Sequence, residues 1–203
     1  MNTTVFLLVL CSAVLHAIWN SMASKYKNKN VSIPAIVYGH VPACIVAVII
    51  LPMPSAESFP YIIMSALIHQ GYQNFLLTAY QTGKFTTVYP VARGFGPLVA
   101  TAISIIFLGL HLKVLTLFSI LLISIGVILI GLFSKSVLKN YKILYTSLAT
   151  GVFIGMYSVV DGYGARISMS AISYMSWVFI ISALLFPIVL KFRKQKNILK
   201  KTL

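Results

Sequence analysis

A chain of 203 residues that is 59% hydrophobic and has only two acidic side chains, Glu57 and Asp161, lacks the polar surface for a sizeable water-soluble domain and reads as one integral membrane domain. Its formal charge of +14 would point a soluble protein toward nucleic acid. Here the basic residues sit in short gaps beside apolar runs and in a C-terminal tail, where anionic lipid is the counter-charge, so membrane lipid is expected as the partner and nucleic acid is not.

Seven mostly apolar runs follow one another: Thr3–Met22, Ile33–Pro52, Pro60–Tyr80, Thr86–Gly109, Val114–Phe133, Ile143–Tyr163 and Ala171–Leu190. Each is long enough to cross a hydrocarbon core of about 30 Å as a helix rising about 1.5 Å per residue. The alternation of a membrane barrel is absent, and in lipid a helix satisfies its own backbone hydrogen bonds, so the expectation is an all-α integral membrane bundle of seven transmembrane helices. The first run has the length of a signal peptide but no Lys or Arg before it, and it is kept as a span. Cys11 and Cys44 fall inside runs one and two without CxxC or metal-ligand spacing, so they read as small packing residues, and no metal or cofactor is implied.

Basic residues set the orientation, because Lys and Arg in short loops stay on the cytoplasmic side. Lys25, Lys27 and Lys29 follow run one, Lys84 follows run three, Lys135, Lys139 and Lys142 follow run five, and six more lie between 191 and 201. The opposite gaps hold only Lys113 and Arg166. The N-terminus is therefore expected outside and the basic segment 191–203 in the cytoplasm.

His16, Asn20 and Lys25 near the end of run one recur as Tyr157, Asp161 and Arg166 near the end of run six, with the same spacings. The copies are separated by an odd number of helices and would be inverted, which is a recurrent carrier architecture with its site at the repeat interface. Three segments then carry a family resemblance: His16–Asn20 (HAIWN), Ala79–Pro97 (AYQTGKFTTVYPVARGFGP) and Tyr157–Arg166 (YSVVDGYGAR). In these the chain resembles the drug/metabolite transporter superfamily, and within it the EamA-type permeases, over nearly its whole length. The resemblance implies a secondary carrier of small metabolites such as amino acids, in a bacterial cytoplasmic (inner) membrane, built from two inverted five-helix repeats. On that reading residues 1–134 form one complete repeat, 135–190 the first two helices of a second, and 191–203 a basic cytoplasmic tail. Two departures stand out: Leu108, Gly109 and Leu110 replace a Leu-Gly-Glu pattern, and helices eight to ten are missing. The runner-up expectation is accordingly a transport-incompetent fragment, or an accessory subunit that completes itself by homodimerising.

Polar residues inside the runs are the candidate pathway, since an ionised group in hydrocarbon costs about 2.5–3.5 kcal/mol on insertion scales and is kept where it faces helices or water. Helix rise puts Arg93 about 10 Å and Asp161 roughly 27 Å from the cytoplasmic side, too far apart for an ion bridge. An inner layer of His16, Asn20, Gln73, Asn74 and Arg93 is expected, with His69 and Gln70 extending the stripe of run three. Trp19 and Tyr89 are also counted among the candidate substrate-pathway residues. An outer layer holds Tyr157, Asp161, Tyr174 and Trp177; Tyr174 reads as an interfacial belt residue, and Asp161 either as a partner of Arg166 or as a site of cation or proton coupling. The alternative for the stripe is glue between helices. Arg93 suits a carboxylate or phosphate, favouring an anionic or zwitterionic substrate, with a lipid-phosphate anchor as its bland reading. Pro90, Gly94, Gly96 and Pro97 fit either close packing or an interrupted helix, whereas Gly151 and Gly155 read as a packing face. Proton coupling is open to Asp161, His16 or His69. An enzyme is not expected: intramembrane hydrolysis would want HExxH, paired aspartates or a Ser/His constellation, and of the two acidic residues only Asp161 lies within a run.

Overall fold

The computed structural model of the chain describes residues 3–25, 29–133 and 140–202, with side chains over 3–4, 6–15, 18, 34–133 and 140–191. Among the described residues there are eight α-helices and no strand: α1 (Thr3–Lys25), α2 (Lys29–Gly39), α3 (Val41–Ile50), α4 (Phe59–Thr82), α5 (Phe85–Leu108), α6 (Val114–Leu132), α7 (Tyr141–Ile167) and α8 (Ala171–Thr202). Four of them, α5, α6, α7 and α8 as far as Lys191, are long and apolar enough to cross a membrane. The helix α4 is as long as α5, at 24 residues, but a polar stripe makes it less apolar than those four.

One expectation is corrected at this level. Run two does not form one helix: α2 ends at Gly39, His40 occupies a turn, and α3 restarts with Pro42 in its first turn, where the missing N–H costs nothing. Beyond the apolar stretch, α8 continues as helix through the basic segment to Thr202.

The helices pack in a row. α6 lies on one side of α5 and α7 on the other; α4 packs on α7, α8 on α4, and α3 on α8. α1 touches α2, and its described apolar side chains, from Phe6 to Ile18, are exposed. Exposed too are one face of α3 (Ile49, Ile50) and most of α6 (Val114, Leu115, Leu122, Ile123, Ile130). Apolar exposure on this scale is unstable in water and needs no partner in lipid.

Glycines set the closest approaches. A Cβ at Gly94 would stand 2.9 Å from the Ser124 carbonyl oxygen of α6, and one at Gly131 would stand 2.9 Å from that of Thr87 on α5. On the other side of α5, Gly151 faces the Ala92 carbonyl oxygen at 2.9 Å and Gly155 the Ala100 nitrogen at 2.8 Å by the same construction. Gly151 and Gly155 thus form a packing face, as expected of a small-xxx-small pair. The interrupted-helix alternative for run four is overturned: α5 runs unbroken from Phe85 to Leu108 through Pro90 and Pro97, and Gly94 and Gly96 are buried against α6 and α7. Thr146, Ser147, Thr150 and Ser158 on α7 each return their hydroxyl to a carbonyl one turn back, at 2.7 Å, so they add no unmet polar group to the bundle.

Candidate functional site

The stripe of run three lies on α4, where Ser65, His69 and Gln73 recur every four residues along one side. All three are buried, and Gln70 beside them is half-buried. Three clusters meet there.

The first joins α4, α7 and the start of α8. His69 Nδ1 lies 2.9 Å from the Ser65 carbonyl oxygen and 3.3 Å from the Ser65 hydroxyl. That hydroxyl in turn hydrogen-bonds Asp161, which feels the charge of His69. The Tyr174 hydroxyl donates to Asp161 Oδ1 at 3.2 Å. Tyr174 is fully buried, and its ring lies flat on Gly164, which has no side chain to hold it away from α7. Two outer-layer expectations are therefore corrected. Tyr174 is an interior hydrogen-bond donor instead of a belt residue, and Asp161 takes Tyr174 and Ser65 as partners instead of Arg166, which is exposed.

In the second cluster, α4 meets α8. Gln70 donates from Nε2 to the Ser182 carbonyl oxygen and the Ser182 hydroxyl, both at 2.9 Å, and Gln73 donates to the same hydroxyl at 3.2 Å. The carbonyl oxygens Gln70 Oε1 and Gln73 Oε1 are buried with no protein partner, and so is Trp177 Nε1, whose ring packs against Phe59 at 6.4 Å. Because the Gln70 amide faces a backbone carbonyl, which can only accept, its orientation is fixed and its oxygen must point away from Ser182.

The third cluster is aromatic. Tyr157 stacks on His69 with ring centroids 4.3 Å apart and meets Tyr72 edge-on at 5.6 Å. Tyr89 stacks on Phe85 at 5.0 Å, and Phe85 touches Tyr80 at 5.7 Å. The Arg93 guanidinium acts electrostatically on the hydroxyls of Tyr72, Tyr80 and Tyr157 while its side chain stays exposed. Tyr157 feels both Arg93 and Asp161, but no ion pair joins those two. Among the described side chains, the inner-layer stripe of α4 thus meets the outer-layer Tyr157 and Asp161, with His69 and Tyr157 as the link.

Of the remaining candidates, Asn74 is half-buried on α4, and its carbonyl accepts from the Thr78 hydroxyl at 2.8 Å. His16, Trp19 and Asn20 fall on α1, with side chains outside the described ones. Sequence reasoning missed four participants. Ser65 was legible as a hydroxyl one turn before His69, and Tyr72 and Tyr80 as tyrosines two turns apart on the striped helix. Nothing in run seven distinguished Ser182 from its neighbours. Comparison with known proteins gives no match: no family model, no curated protein and no solved structure aligns with the chain.

Proposed function

We propose that this chain is a secondary carrier that moves small anionic or zwitterionic metabolites, amino acids or their relatives, across a membrane. One observation carries the reading: inside a shell of apolar, lipid-suited helices lie buried polar groups whose hydrogen-bonding capacity the protein leaves partly unused, at Gln70 Oε1 and Gln73 Oε1 on α4 and Ser173 Oγ and Trp177 Nε1 on α8, with Ser124 Oγ on α6 the one such atom described elsewhere. Unmet buried polar atoms are costly, and an interior crossed by water or by a polar solute supplies what they lack. Glue between helices would be expected to satisfy both ends of each side chain. Arg93 supplies a permanent cation that acts on the hydroxyls of Tyr72, Tyr80 and Tyr157 and is suited to a carboxylate.

In this reading the runs cross the membrane seven times with the N-terminus outside, the chain resides in a bacterial cytoplasmic membrane, and the pathway also takes in His16, Trp19 and Asn20 from α1. The reaction needs no cofactor and no bond chemistry, since the driving force is a gradient. Reconstituted vesicles supplied with a tritiated amino-acid mixture provide the test. Uptake above that of protein-free vesicles, falling about tenfold in Arg93→Ala (about 1.4 kcal/mol of lost binding), is the expected outcome. Uptake equal to that of protein-free vesicles rejects transport by this chain.

A further inference from the structure

We infer that His69 of α4 is a proton-binding site of the carrier, taking one proton at Nε2 with Asp161 of α7 as its counter-charge. This deepens the carrier reading by naming the coupled ion and the group that holds it.

The geometry assigns the tautomer. His69 Nδ1 stands 2.9 Å from the Ser65 carbonyl oxygen, a group that only accepts, so Nδ1 carries hydrogen and donates to it. Two lone pairs at that distance would repel. With Nδ1 already protonated, the Ser65 hydroxyl 3.3 Å away gives its proton to its other partner, the Asp161 carboxylate, which also receives the Tyr174 O–H at 3.2 Å. Asp161 is thereby the acceptor of both O–H groups. The basic lone pair left in the cluster is therefore Nε2 of His69.

Proton uptake converts the neutral imidazole to imidazolium and takes the net charge of the His69–Asp161 unit from minus one to zero. Both partners are buried, His69 at 6% and Asp161 at 9% exposure, so a lone carboxylate there is a poor traveller across hydrocarbon, and the protonated unit is the form in which the site can change sides. Aromatic rings enclose the imidazole. Tyr157 lies face to face with the imidazole at 4.3 Å, and Phe179 and Tyr72 close its edges at 6.0 and 6.3 Å. The titratable groups facing His69 are few: Asp161 and Tyr157 from α7, Tyr72 on α4 itself, and His40 from the turn between α2 and α3, whose ring packs on the same Phe179 at 4.6 Å. Arg93 acts on Tyr72 and Tyr157, and Asp161 is the one anion on His69.

The test reads the proton directly and needs no flux. The full chain, with histidine labelled by nitrogen-15 and held in lipid nanodiscs, is titrated from about pH 5 to about pH 9, the interval in which histidine charge changes. Ring signals of the four histidines are assigned from the His16→Gln, His40→Gln and His111→Gln variants, so that His69 is identified even where its own variant misfolds. The expected result is a His69 signal that is the Nδ1–H tautomer at high pH and becomes imidazolium on acidification. Its proton affinity should fall about tenfold in Asp161→Asn, with a smaller fall in Tyr174→Phe. A His69 that stays neutral over the whole interval, a high-pH Nε2–H tautomer, or an unchanged proton affinity in Asp161→Asn would each overturn the inference. Vesicles that take up amino acids while His69 stays neutral would sink the proton site and leave the carrier; a titrating His69 in a protein without flux would do the reverse.

Discussion

Helix α7 has two seams of opposite construction. Toward α5 it presents Gly151, Ile154 and Gly155, and the two backbones close until a Cβ would strike a main-chain atom. Toward α4 and α8 it presents Tyr157, Asp161 and Gly164, and the gap is filled by rings and hydrogen-bonded side chains. The contrast shows how a membrane bundle divides its work. With no hydrophobic force between helices in lipid, rigidity comes from van der Waals contact at small residues, and polar side chains contribute little to cohesion. On the proposed carrier reading, the polar seam with its unmet atoms is the place where a solute passes.

The seams make different predictions. The largest effect is expected at Gly151→Leu, where overpacking against the Ala92 carbonyl and the Phe95 side chain should cost about 3 kcal/mol or more. Urea unfolding in mild detergent measures it, and Gly126→Leu, at a glycine with open space around it, should stay within about 0.5 kcal/mol of the parent. A Gly151→Leu protein as stable as Gly126→Leu would break the contrast from the dry side. Next comes Asp161→Ala, which strands the Tyr174 and Ser65 hydroxyls and is expected to cost about 1–3 kcal/mol in the same assay. Asp161→Asn, which keeps an acceptor for Tyr174, should recover most of that stability while losing the coupled proton, separating structure from function at one residue. Smallest is Ser182→Ala. Removing the hydroxyl shared by Gln70 and Gln73 should cost about 0.6 kcal/mol, the typical value for a hydrogen bond between membrane helices. A loss several times larger would make that cluster glue after all.

The long helices and the stripe on α4 were legible because both depend on local pattern: an apolar run of membrane length and a polar repeat every three to four residues. The packing role of Gly151 and Gly155 was legible for the same reason. What escaped depended on neighbours brought together by the fold. Tyr174 looked interfacial by its depth alone, yet Gly164, ten residues earlier on another helix, gives its ring a seat and Asp161 gives its hydroxyl a partner. The two-layer scheme treated helices as parallel rods at calculated depths, and it missed that His69, near the middle of α4, stacks on Tyr157 and feels the charge of Asp161 while Gln70 and Gln73 reach across to Ser182. The prolines misled in the other direction. Pro90 and Pro97 are absorbed by an unbroken α5, whereas the real interruption, at His40, follows from Gly39 ending α2 just before Pro42.

Solvent access on the polar strip, compared with the exposed apolar faces of α4 and α6, decides most directly whether the strip lines a route. In a Cys11→Ser, Cys44→Ser background, single cysteines are placed at Asn74 and Arg93 on the strip and at Ile63 and Leu122 on exposed apolar faces. The reconstituted proteins are then treated with a charged, membrane-impermeant maleimide applied to both sides. Reaction at 74 and 93, with 63 and 122 protected by lipid, is the predicted result. Protection at 74 and 93 together with reaction at 63 and 122 would place the polar groups against acyl chains and contradict the pathway.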